Sequence, residues 1–193
     1  MDEGDLIRRS QTGDLQAFEI LVREKRNQVF RIARQILGDE EEAKDIAQLV
    51  FIRLWQTLGR FREGGSFNAW LHRITVNLAI DCSRRRQGRG RVEAREPAVL
   101  EGARAEGGTS EAEMARGEVQ RVFQELAARL SPRQRAAFVL REIEGFSTEE
   151  VSEMLGMRIS TVRNHVHAAR QSLQEGLRRL FPEYTRRRSG DVS

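Results

Sequence analysis

Four polar side chains near the C-terminal end have the types and spacing to read DNA: Arg163, Asn164, His167 and Arg170. An arginine bridges O6 and N7 of guanine, and an asparagine pairs with N6 and N7 of adenine. Such chemistry needs a rigid helix that presents these groups outward. The segment from Phe146 to Leu173 supplies one. A short helix turns Val151 and Leu155 inward, and Gly156 makes the turn because glycine tolerates positive φ. Ile159 is expected to plug the corner and Ser160 to cap the next helix, which starts at Thr161 with Val162 and Val166 facing inward. This is helix-turn-helix spacing, and in that motif the second helix enters the major groove. An ordinary helical hairpin with polar faces has the same pattern, so the segment alone does not decide.

Other chemistries find no residues. His165 and His167 stand two apart, about 200° around a helix, which is wrong for a shared metal ion. With His72 and the single Cys82 they form no catalytic set. There is no phosphate-binding glycine loop, metalloprotease helix or nucleophile elbow. One cysteine gives no internal disulfide and no thiolate cluster. No enzyme, cofactor or metal is expected. No apolar run approaches the ~18 residues of a membrane span, and the acidic start Met1 to Asp5 lacks a signal core. A cytoplasmic protein without membrane insertion is expected.

The elements that must hold the DNA-reading groups are all helical. Asp14 caps a helix carrying Phe18, Leu21, Val22, Val29, Ala33 and Ile36, which Gly38 ends. Asp39 to Glu42 place negative charge at the start of the next helix. Its stripe is Ala43, Ile46, Ala47, Val50, Phe51, Leu54, Trp55 and Leu58. After the loop Gly64-Gly65-Ser66, a third helix carries Phe67, Trp70, Leu71, Ile74 and Leu78 and is expected to end in Arg84 to Arg86. Periodicity then fails from Gln87 to about Gly117, and a stretch that long suggests a linker between two domains. Beyond it, Val119, Val122, Phe123, Leu126, Ala127 and Leu130 form another stripe. Ser131-Pro132-Arg133-Gln134 and Ser147-Thr148-Glu149-Glu150 read as capping boxes. The expected architecture is all-α: two small helical domains joined by a flexible acidic linker, the C-terminal one holding the helix-turn-helix. The expected spans are 1–88, linker 89–117, 118–184 and a basic tail 185–193.

Charge follows that division. Residues 1–91 hold 17 basic and 13 acidic side chains, residues 92–118 hold 3 and 7, and residues 119–193 hold 13 and 9. Two basic modules flank an acidic segment, which fits a polyanion partner as well as solvated surface.

The N-terminal module offers two further surfaces. The helix from Ala43 to Leu58 leaves Asp45, Gln48, Leu49 and Ile52 opposite its core stripe. An apolar patch rimmed by polar groups suits a protein partner; the alternative is that Leu49 and Ile52 pack under a neighbouring helix. The run Phe61 to Arg86 mixes aromatics, amides and arginines, which suits unstacked bases and phosphates. Phe67 and Trp70 fit the core better. Asn77 lies one turn beyond Arg73 and is a candidate base reader.

In this order, the motifs resemble the extracytoplasmic-function group of bacterial sigma factors, from Asp5 to about Leu180. The resemblance rests on Asp45-Ile46-Ala47-Gln48-Leu49-Val50-Phe51 with Leu54-Trp55; on Phe61-Arg62 to Asp81; on Leu130 to Arg135; and on the helix-turn-helix. It implies that Asp45, Gln48, Leu49 and Ile52 dock on the clamp coiled coil of core RNA polymerase. It implies that Phe61, the loop from Glu63 through Gly64 to Ser66, Arg73, Asn77, Arg84 and Arg85 meet the promoter −10 element, and that Arg86 touches backbone. Arg163, Asn164, His167 and Arg170 would meet the −35 element. The acidic linker would thread into polymerase near the RNA exit, and an anti-sigma protein would be a partner beside polymerase and promoter DNA. The chain departs from the family pattern at Leu49, where an acidic residue is usual, and at Ala168, where arginine is common. The competing reading is a stand-alone helix-turn-helix regulator whose N-terminal domain senses a ligand or dimerises. It leaves the helix from Asp45 to Phe51 and the run from Phe61 to Asp81 without a purpose.

Overall fold

The computed structural model describes residues 2–62, 64–92 and 111–182, with side chains for all but 88–92 and 111–116. Glu63, most of the expected linker (93–110) and residues 183–193 lie outside the described residues. All regular structure among the described residues is helical: α1 (Glu3–Gln11), α2 (Leu15–Leu37), α3 (Glu40–Thr57), α4 (Phe67–Val92), α5 (Glu111–Ala127), α6 (Pro132–Phe138), α7 (Thr148–Leu155) and α8 (Ile159–Leu180).

Local chemistry sets the helix ends. The Asp14 carboxylate accepts from the amides of Gln16 and Ala17 at 3.0 and 3.1 Å, satisfying donors that α2 cannot. Arg9 holds that carboxylate at 2.7 Å. Gly38, at φ +78°, closes α2 in the left-handed conformation. Asp39 caps α3 through the Glu42 amide at 2.8 Å. Both expected capping boxes form, at Ser131 with Gln134 and at Ser147 with Glu150.

Five expectations change. α1 is an added helix: its buried Leu6 and Ile7 are too few to announce themselves among charged neighbours. α4 does not end at Arg86 but runs to Val92, and α5 begins at Glu111, inside the aperiodic stretch. α8 begins at Ile159, and Ser160 makes no cap, since Arg158 holds the N-cap position without a side-chain bond. Ile159 is 38% exposed, so the corner is filled instead by Met154, with Met157 packed beside it. The Ser152 hydroxyl donates to the Met157 carbonyl at 2.5 Å and fixes that turn.

One apolar core runs through α1 to α4 and continues without a break into Ala136, Val139, Leu140, Val151, Met154 and Val162. The two modules are therefore packed on one another as well as tethered. A smaller cluster of Leu126, Ala127, Leu130, Ala169 and Leu173 holds α5 on α8. Between α6 and α7 lies one π-helical turn, Val139–Ile143. This wider turn carries Glu144 and Phe146 toward the N-terminal module, where Glu144 meets Arg31 and Phe146 meets His72. Such turns recur where a helix must re-aim side chains.

Candidate nucleic-acid interface

α3 buries Ala43, Ile46, Val50 and Leu54. Its other side leaves Asp45 and Gln48 exposed, with Leu49 45% and Ile52 54% exposed. Neither apolar residue packs under a neighbour. Trp55, expected in the core stripe, lies at the edge of this patch and leans on Phe18, with ring centroids 4.8 Å apart. Its size and position extend the patch beyond the expected four residues.

α4 is buried around most of its circumference. Leu71, His72, Thr75 and Ala79 are nearly inaccessible, and His72 meets Phe146 of the C-terminal module. The sparse polar stripe that remains holds Arg73, Asn77, Asp81 and Arg84, at steps of four, four and three, and all are exposed. Asp81 sits 3.9 Å from Arg84 and tempers its charge. Arg85 is exposed. Arg86 turns inward to Glu42 at 3.0 Å and to the Leu37 carbonyl at 3.1 Å, so it ties α4 to the end of α2.

The approach to α4 is fixed from α1. The Gln11 side chain donates to the carbonyls of Leu58 and Phe61 at 3.1 and 2.8 Å. The Phe61 ring packs against Phe67 and Trp70 at 5.7 and 5.3 Å, and is half-buried there. Phe61 thus anchors the loop. Gly64, at φ +102°, shapes it, and the Ser66 hydroxyl accepts from the Ala69 amide at 3.2 Å to start α4.

On α8, Val162 and Val166 are buried while Arg163, Asn164, His167 and Arg170 are exposed. Arg170 is ion-paired to Glu142 at 2.8 Å, so its contact with DNA requires that pair to part. His165 is half-buried, and that burial lowers its proton affinity, aided by Arg133.

Sequence reasoning missed a groove. α5, the π turn and α8 enclose about 800 Å³, lined mainly by Val119, Val122, Phe123, Leu126, Leu173 and Leu177. Val119 is 70% exposed. The signal was present, as the stripe on α5 faces α8 only in part.

The modules meet at His72, which is 1% exposed and lies edge-on to Phe146 at 5.0 Å. Burial pushes its pKa down to about 4; Glu144 and Glu150 pull upward, Lys25 and Arg31 downward. The folded chain therefore binds fewer protons at this site than the unfolded chain between pH 6.5 and about 4. The stability contributed here is whole above pH 6.5 and falls through that window, by roughly 1.4 kcal/mol per pH unit at its steepest. In thermal melts at about pH 7 down to about pH 4.5, wild type should lose more stability than His72→Gln. Parallel curves for the two chains would show that His72 does not carry the effect.

Among the described residues, no group of histidine, cysteine and carboxylates could hold a metal ion, and no helix is long and apolar enough to cross a membrane. The family description "Sigma-70 region 2" matches residues 21–89, and "Sigma-70, region 4" matches residues 120–173. The ECF RNA polymerase sigma factor SigE of Mycolicibacterium smegmatis is 37% identical over 86% of this chain, which spans 65% of that protein. The RNA polymerase sigma-H factor of Pseudomonas aeruginosa is 31% identical over 92% of this chain and 95% of its own length. The ECF RNA polymerase sigma factor SigW of Bacillus subtilis is 31% identical over 90% and 96%. Among solved structures, CnrH in complex with the cytosolic domain of CnrY superposes with a TM-score of 0.64 at 26% identity, over 89% of this chain and 94% of that one. The sigma factor RpoE of Bartonella quintana, solved with the anti-sigma factor NepR, shares the fold at 24% identity and a TM-score of 0.61, over 86% and 97%.

Proposed function

Because the chain belongs to the extracytoplasmic-function group of RNA polymerase sigma factors, we propose that its exposed surfaces divide the work of promoter initiation. The protein binds core RNA polymerase, recognises −35 and −10 elements and promotes DNA opening. It performs no covalent chemistry, and it works in the cytoplasm, beside the polymerase. Asp45, Gln48, Leu49 and Ile52, with Trp55, dock on the polymerase clamp. Arg73, Asn77, Arg84 and Arg85, on an approach shaped by Phe61, Gly64 and Ser66, engage the −10 element. Arg163, Asn164 and His167 read the −35 element, joined by Arg170 once Glu142 releases it.

The observation that carries this reading is the coexistence of three exposed patches on helices whose other faces are core. A stand-alone regulator would use α8 and leave the α3 patch unexplained. The regulatory partner is an anti-sigma protein, and an amphipathic helix of it fits the groove between α5 and α8, where apolar anchors at helical spacing would find apolar walls. The solved relative CnrH stands in complex with the cytosolic domain of CnrY.

The −35 assignment has a direct test. Replacing Arg163 with alanine should weaken promoter binding by roughly 1–3 kcal/mol if its guanidinium bridges a guanine, and should relax specificity at one base pair. Titrations of holoenzyme against promoter and scrambled duplexes measure this. An equal loss on both duplexes would reduce Arg163 to a phosphate contact.

A further inference from the structure

The four side chains assigned to the −35 element are not equally free. Among the described residues, the side chains of Arg163, Asn164 and His167 make no hydrogen bond or ion pair. Arg170 is held: its Nη2 donates to Glu142 Oε1 at 2.8 Å, across 28 residues of chain. The Glu142 side chain is 25% exposed and the Arg170 side chain 54%. The π-helical turn sets this contact. It buries Val139 and Leu140 and carries Glu142 up to α8, where Glu142 and Arg170 stand together in the wall of the α5–α8 groove.

A carboxylate on a DNA-reading arginine competes with DNA for it, and the effect depends on the DNA. Where Arg170 meets a matched base pair, it leaves Glu142, and binding loses the whole value of the ion pair. Where it meets a mismatched pair, it stays with Glu142, and binding loses almost nothing. The competitor therefore subtracts most from the best sites. Specificity is a difference of affinities, so the gap between good and poor sites narrows. An ion pair at this exposure shifts an equilibrium by about twofold to fivefold, which bounds the effect.

We propose that Glu142 is a specificity-determining residue that makes −35 recognition tolerant at the base pair facing Arg170. It reads no base itself and acts through Arg170. The inference rests on the −35 reading of α8. Glutamine at this position keeps an acceptor but loses the charge that strengthens the bond. Alanine loses the acceptor as well and should do at least as much.

The test titrates holoenzyme carrying wild type, Glu142→Gln, Glu142→Ala, Arg170→Ala or Glu142→Gln with Arg170→Ala. The targets are the promoter duplex and duplexes substituted one base pair at a time across the −35 element. Arg170→Ala identifies the facing base pair as the one where discrimination is lost. Glu142→Gln should tighten promoter binding about twofold to fivefold. It should tighten binding to the duplex substituted at that pair by less than about twofold, leaving discrimination elsewhere unchanged. In the Arg170→Ala background, Glu142→Gln should have no sequence-dependent effect. Uniform tightening on every duplex would reduce Glu142 to a general repulsion of phosphates and overturn the proposal. Weaker promoter binding would overturn it too, with Glu142 orienting Arg170 for DNA. In either case a costly Arg170→Ala would leave the −35 reading intact. An Arg170→Ala chain that binds and discriminates like wild type would remove Arg170 from the −35 surface, and the proposal with it.

Discussion

A chain carrying Leu49→Asp and Ile52→Asp should lose at least about 100-fold in affinity for core RNA polymerase while keeping its fold. Both side chains are exposed on the face of α3 opposite Ala43, Ile46, Val50 and Leu54, so the substitutions disturb no internal packing. Apolar anchors at the centre of an interface are commonly worth about 2 kcal/mol or more each, and a carboxylate would add the cost of desolvation. The same face carries Leu49 where the family usually has an acidic residue. Leu49→Asp alone therefore has an informative outcome: a small loss would mean that the polymerase accepts the family residue, and a large one that it has adapted to leucine. Surface-immobilised polymerase and circular dichroism measure binding and fold separately. Unchanged affinity in the double variant would remove α3 from the polymerase interface.

Replacing Arg73 and Asn77 together with alanine should reduce promoter opening by about 100-fold, with −35 docking nearly intact. Each base contact contributes about 1–3 kcal/mol, and both side chains lie on the one stripe of α4 that packing leaves free. Opening is followed by the reactivity of unpaired thymines in the polymerase complex, and docking by a duplex holding only the −35 element. Equal losses in both assays would indicate a general defect and no role at −10.

The parts legible in the sequence are those governed by short-range rules. Asp14, Ser131, Ser147, Gly38 and Gly156 announce helix ends because capping and left-handed turns need particular residue types a few positions apart. The stripe on α3 shows which side is core, and its remainder therefore marks Leu49 and Ile52 as exposed. The helix-turn-helix is legible for the same reason, although α8 begins at Ile159, two residues before Thr161.

What was not legible depends on tertiary contact. α4 shows only a weak amphipathic pattern because it is enclosed by α2 and α3 on one side and by the C-terminal module on another. His72 and Thr75 look like surface residues in the sequence, yet they are buried. Arg135 has the sequence signature of a solvated arginine and becomes an interior link to Gln35, 100 residues away in the chain. Pairings at that separation leave no local periodicity. Phe61 illustrates the converse: an aromatic in a basic run suits base stacking, but its ring is already engaged by Phe67 and Trp70.

The most direct test of the central claim is gel filtration of the full-length chain with core RNA polymerase that lacks any other sigma subunit. A one-to-one complex that then transcribes from specific genomic sites is the expected result. A chain that elutes apart from polymerase, yet binds a specific DNA duplex unaided, would contradict the account and assign the protein to the stand-alone regulators.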